Sequence, residues 1–188
     1  MADESWRELE SQARWRLEHA DQAIDSAVTR GMSLQLRLWS YRRSGSHVSW
    51  SIILPVRDYR SAKAVVREVA WDRVADLKSL LRPQRTLKRR QALRPSLCSR
   101  DAEMGWQELA PHLDSIAGLR PSILERAPTE AGVEDSFGLV GYRSLAHVRI
   151  EWGGRGPRAW KETIALITRL RQLLCGMMQD RERHSQEG

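Results

Sequence analysis

The chain has 188 residues, 41% hydrophobic and 29% charged, with a formal charge of +7 and a sequence pI of about 10.1. No apolar run approaches the ~20 residues of a membrane-spanning helix, and two cysteines, Cys98 and Cys175, are too few for a disulfide scaffold or a four-cysteine zinc site. The acidic start, Asp3 and Glu4, has no apolar stretch behind it and reads as lacking a signal peptide, so a cytoplasmic protein of one domain, 1–188, is expected.

The first predicted element is a helix. Ser5-Trp6-Arg7-Glu8 has the form of a capping box, and Gly31 supplies a left-handed stop. Trp6, Ala13, Ala20 and Ala27 recur every seven residues, with Leu17 and Ile24 between them. Such a narrow stripe with small residues fits close approach by another backbone, of this chain or of a partner.

Two strands follow. Leu34, Leu36 and Leu38 alternate with Gln35, Arg37 and Trp39, and Val48, Trp50 and Ile52 repeat the pattern. Ser44-Gly45-Ser46 reads as the hairpin turn between them. A second helix is expected over about 59–81, with Ala62, Val65, Val66, Val69, Ala70, Val74, Leu77 and Leu81 on its face, ended by Arg82-Pro83. Its β-branched content is high for a helix, so packing would have to hold it.

A third helix is expected over about 101–117, capped by Asp101, with Trp106, Leu109, Leu113 and Ile116 on one side and Pro111 as a kink or restart. Residues 120–135 read as a connecting loop. Phe137, Leu139 and Tyr142 mark one further strand, and Leu145 to Trp152 another, before the turn Gly153-Gly154-Arg155-Gly156-Pro157. A last helix over about 158–178 carries Trp160, Ile164, Ile167, Leu170, Leu174 and Met178, and the final ten residues read as frayed.

The expected fold is α+β, with helices packed on an antiparallel sheet of about four strands in two hairpins. The order also admits an α-ββ-α duplication, with pseudo-halves 1–81 and 101–178 joined by a basic linker, 82–100. Ser46-His47-Val48 and Ala146-His147-Val148 are its faint echoes.

Charge is uneven along the chain. Residues 82–100 hold seven bases and no acid, whereas 101–135 hold eight acids and two bases. Arg82, Arg85, Lys88, Arg89, Arg90 and Arg94 are candidate phosphate contacts, because neutralising phosphate depends on charge more than on any motif. On the first strand, Arg37, Trp39 and Tyr41 lie opposite the leucines and are followed by Arg42 and Arg43. If that sheet face were open, bases would stack on the rings while guanidinium groups met phosphates; helices on both faces would make Trp39 core instead. Arg155 and Arg158 flank the glycine turn, a place for an anion or simply a tight turn.

Motifs for catalysis are missing. Cys98 sits in a basic stretch that would favour a thiolate, but packing beside Leu97 explains it equally, and Cys175 reads as core. His47 and His147 would face each other only under a paired-hairpin symmetry, and Asp58 and Glu151 are acid candidates by position alone. Neither nucleotide-binding glycine pattern is present, and no zinc spacing, so neither a cofactor nor a metal is expected.

Three functions emerge. The first is a non-catalytic nucleic-acid-binding subunit, for RNA or DNA. The second is a protein-interaction module, an adaptor, chaperone or inhibitor, joining a partner or a second copy through Trp6, Ala13, Leu17, Ala20, Ile24 and Ala27 of the first helix. The third is an enzyme whose site the sequence does not reveal.

Overall fold

The computed structural model describes residues 2–19, 32–42, 47–55, 63–81, 94–118, 135–143 and 146–186. In chain order these form α1 (Ala2–Glu18), β1 (Met32–Tyr41), β2 (His47–Pro55), β3 (Lys63–Trp71), α2 (Arg73–Leu81), β4 (Leu97–Gly105), α3 (Trp106–Ala117), β5 (Ser136–Arg143), β6 (Ala146–Gly153) and α4 (Lys161–Gln186), with a 3-10 turn at Arg158–Trp160. The fold is α+β: one antiparallel sheet of order β4-β3-β2-β1-β5-β6, covered by helices on both faces. None of the described helices is long and apolar enough to cross a membrane.

Six described strands replace the expected four. The helix expected over 59–81 is instead β3 followed by α2. Ala64, Val66 and Val65, Val69 fall on opposite faces of β3, and both sets are buried. A strand covered on both sides reads as a continuous apolar run, which mimics a helix face. The β-branched residues were the better guide. Asp72 then caps α2, its Oδ1 accepting from the amide of Ala75 at 2.9 Å.

The helix expected from Asp101 starts five residues later, at Trp106. Leu97–Gly105 forms the edge strand β4 in its place. Only Ala102 and Met104 of β4 are buried apolar residues, so it carries almost no strand pattern. Charged cross-strand pairs hold it: Arg67 donates twice to Asp101, both at 2.6 Å, and Arg100 pairs with Glu68. The two halves therefore differ in element order, and the helix-hairpin-helix unit does not recur as expected.

At the N-terminus, the helix begins at Ala2, so Ser5 lies inside it and is no cap. Residues 20–31, with Ala20, Ile24, Ala27 and Gly31, lie outside the described residues, as does the turn Ser44-Gly45-Ser46. The hairpin pairing itself is present, with Tyr41 opposite His47. At the C-terminus, α4 continues to Gln186, where fraying was expected.

One irregularity alters the leucine stripe. The β1–β2 register shifts between Leu34 and Leu36, so Leu34 pairs with Ile53 and Leu36 with Ile52. A bulge of one residue moves everything beyond it to the other face. Leu34 thus leaves the stripe that Leu36 and Leu38 share.

The main core lies between the sheet and α3 with α4. Leu36, Leu38, Trp50, Ile52, Val66, Leu139, Ile150 and Trp152 meet Leu109, Ile167, Leu170, Leu174 and Met178 there. A smaller core on the other face joins Leu9, Ala13 and Leu17 of α1 to Trp39, Tyr41, Val69, Trp71 and Val140.

Candidate functional site

The α1 face of the sheet is built from polar and aromatic side chains. Alternation places Arg37, Trp39 and Tyr41 together with His47, Ser49 and Ser51 across the strand pair. Of the two readings of this face the covered one holds: α1 lies over it, leaving Trp39 and Tyr41 each 2% exposed and Arg37 fully buried. Base stacking on Trp39 and Tyr41 with Arg37 at a phosphate is therefore not available while α1 is docked.

Arg37, Tyr41 and Ser51 are engaged by protein groups, whereas Trp39 Nε1 and Ser49 Oγ are buried without a hydrogen-bond partner among the described residues. Arg37 Nε donates to Ser51 Oγ at 3.0 Å, and its Nη1 donates to the carbonyl of Glu18. The Tyr41 hydroxyl lies 3.0 Å from Glu18 Oε1 and 3.2 Å from the Arg14 carbonyl. Burial, reinforced by the Glu18 carboxylate, pushes the phenol far above its usual range. Trp39 is sandwiched. A Cβ on Gly138 would stand 1.9 Å from its ring, and the Arg149 guanidinium lies 4.6 Å from the ring centroid on β6's side. Arg149 in turn donates to Glu18 at 2.7 Å and Glu151 at 3.0 Å.

His47 is 1% exposed, stacked on Tyr41 and edge-on to Trp71. Its Nε2 stands 3.5 Å from Glu10 Oε1. Burial holds the imidazole below its ordinary pKa despite that carboxylate. Glu10 is lowered to about 2, chiefly by His47, with Arg14 at 2.8 Å adding to it. His47 and His147 do not meet. Three strand spacings separate β2 from β6, roughly 14 Å. His147 also pairs with Tyr142, at the opposite end of β6 from Gly153, which lies in His47's row.

The described part of the stripe proposed for a partner, Trp6, Ala13 and Leu17, packs within the molecule. Trp6 stacks on Trp71 at 5.3 Å, and Ala13 and Leu17 are fully buried on the sheet. The small side chain of Ala13 lets α1 approach its own β-sheet, so the helix serves the fold.

The glycine turn is tight and closed. Gly154 and Gly156 have φ of 53° and 69°, which is glycine's territory. Their amides donate to the carbonyls of Asp135 and Gly153, both at 2.9 Å, so these two amides do not cradle an anion. Arg155 and Arg158 are nonetheless exposed beside it, as are Arg42 at the end of β1 and Arg94 before β4. Arg43, Arg82, Arg85, Lys88, Arg89, Arg90 and Asp58 lie outside the described residues.

Two features escaped the sequence reading. One is α2, where Val74, Leu77 and Leu81 are 61%, 46% and 70% exposed. Their i, i+3, i+7 spacing is visible in the sequence, where it merges with the apolar run of β3 into the single helix face expected over 59–81. The other is a cavity of about 240 Å³ between the sheet and α4, lined by Leu38, Phe137, Trp152, Ile164, Thr168 and Arg171, among others. Its sequence signal was Arg171, an arginine where the apolar face of α4 calls for a hydrophobe. Cys98 is exposed and Cys175 half-buried, with burial raising the Cys175 thiol. Among the described residues, no three His, Cys, Asp or Glu side chains are placed to hold a metal ion.

Compared with known proteins, the chain matches no family model, no curated protein and no solved structure.

Proposed function

We propose that the chain is a nucleic-acid-binding protein that grips phosphates through its arginine-rich segment, 82–100, without stacking bases on β1. The carrying observation is the run of seven bases and no acid in that segment. Such a run is attracted to a polyanion and releases its counterions on binding. The framework on either side of 82–93 supports the reading. Asp76 of α2 accepts from the amide and hydroxyl of Ser96 at 2.9 and 2.6 Å, and from Trp71 Nε1 at 2.6 Å. Those bonds tie α2 to Ser96, just before β4, so the described residues on the two sides of 82–93 are joined.

The test is binding to labelled single- and double-stranded DNA and RNA across a salt series. Affinity should fall steeply with salt. Changing Arg85, Lys88, Arg89 and Arg90 together to Gln should reduce the log–log salt slope by about 3–4. An absence of binding at low salt, or a quadruple variant that binds like the parent, overturns the proposal.

A second reading, a protein-interaction module, is favoured by α2. Three large apolar side chains exposed on one helix face make a hydrophobic stripe of the kind that partners cover. Changing Leu77 and Leu81 to Ser should then abolish partner capture or self-association in light scattering while leaving the salt slope unchanged.

A further inference from the structure

The cavity against α4 is lined mostly by apolar side chains together with two arginines, Arg155 and Arg171. Phe137 and Trp152 stack on each other at 5.8 Å between centroids and form one wall. Leu38, Ile164 and Ile167 provide aliphatic surface, and Thr168 adds one hydroxyl. The remaining polar liners are Arg155 and Arg171. Arg155 is exposed in the glycine turn, and Arg171 is half-buried. The Arg171 guanidinium lies 5.2 Å from the Phe137 centroid, and among the described residues no carboxylate stands within ion-pair distance of either arginine.

A cation held in such a place lacks its usual compensation. Ordinarily a half-buried guanidinium is paired with a carboxylate. Here burial, then the charge of Arg42, lowers the affinity of Arg171 for its proton, with Cys175 and Asp135 opposing. An anion brought to Arg171 would relieve that. A nucleobase suits the interior poorly, because its polar edges would face Leu38, Ile164 and Ile167 without partners. At about 240 Å³ the cavity is smaller than the ~300 Å³ at which drug-sized pockets begin, which restricts it to a slender ligand.

We propose that this cavity binds a small carboxylate with an apolar body, the body lying on Phe137, Trp152, Ile164 and Ile167 and the carboxylate meeting Arg155 and Arg171. A guanidinium fork matches a carboxylate bidentately, which makes arginine the fitting cation for this role. The site is independent of the arginine-rich segment and of nucleic acid.

The experiment is calorimetric titration of the full chain with octanoate and with the neutral 1-octanol, followed in parallel by tryptophan fluorescence, since Trp152 and Trp39 line the cavity. Octanoate should saturate one site and bind at least tenfold more tightly than octanol. Arg171→Met should weaken octanoate about tenfold or more and leave octanol unchanged. Arg155→Met, in an exposed turn, carries the same test should Arg171→Met fail to fold. Thr168→Phe should obstruct both ligands. The proposal is overturned if octanoate does not saturate at millimolar concentration, if octanol binds equally, or if neither arginine variant weakens octanoate.

Discussion

Leu36 and Arg37 are neighbours in β1 and both are buried, yet they are buried by different means. Leu36 meets hydrocarbon from the other strands and α4. Arg37 meets a serine hydroxyl and a carbonyl at the end of α1. The same contrast holds across the whole sheet. On the α4 face stability follows the area removed from water, at about 25 cal/mol per Å² of apolar surface. On the α1 face a comparable layer is closed by Glu10, Glu18, Arg14 and Arg149, whose value depends on every partner being present. The lesson is that one sheet can carry a face held mainly by apolar burial, with Glu68 bonded to Trp50 and Arg100 within it, and another closed by a network of titrating groups.

The largest effect that would sharpen this comparison is on the apolar face. Leu174→Ala should cost about 3–5 kcal/mol, because Leu174 is fully buried and its loss leaves a cavity. Urea melts at pH 7 and pH 4 should show nearly the same decrement, since no charge is involved. A decrement that changed with pH would break the comparison.

Gly138→Ala comes next, at about 2–3 kcal/mol, because the new methyl would overlap the Trp39 ring. A double-mutant cycle with Trp39→Leu should recover much of that loss. If Gly138→Ala were neutral alone, the ring would not be clamped between glycine and Arg149.

The smallest effect is the pH dependence of the α1 face. His47 is held below its ordinary value of 6.5, so the unfolded chain binds the proton first, and stability falls as pH drops below about 6.5. Glu10 acts in the same direction. Its pKa is lowered from 4.5 to about 2, so its contribution is present above 4.5 and is lost as pH falls through 2. After screening by solvent, the Glu10 share is about 1 kcal/mol. Urea melts between pH 7 and pH 2 check it: Glu10→Gln should flatten the lower part of the curve and His47→Gln the upper part.

Much of this contrast was legible in the strand pattern. Alternation alone placed Arg37, Trp39 and Tyr41 on the face opposite Leu36 and Leu38. What it could not say was whether that face was covered, because coverage depends on where α1 lands, a tertiary fact. The stripe of Trp6, Ala13 and Leu17 was a correct sign of a close-packed helix, and its target was the neighbouring sheet. β3 was misread because burial on both faces removes the alternation. β4 was missed because it is held by Arg67–Asp101 and Arg100–Glu68, and ion pairs leave no hydrophobic period. The cavity is formed by residues from β1, β5, β6 and α4, far apart in sequence, and only the misplaced Arg171 hinted at it.

The strand order has a consequence for how the molecule is made. β1 sits inside the sheet, with β2, β3 and β4 laid down successively on one side and β5 and β6 on the other. Synthesis therefore completes a four-stranded meander by Gly105, while the partner for the second side of β1 begins only at Ser136. At typical ribosomal speeds that interval lasts a few seconds. During it, Leu36 to Tyr41 present an unpaired hydrogen-bonding edge, and Trp39 waits without the glycine that will seat it. The nascent chain is most exposed to mispairing in that interval, and β5, once delivered, both finishes the sheet and ends the risk.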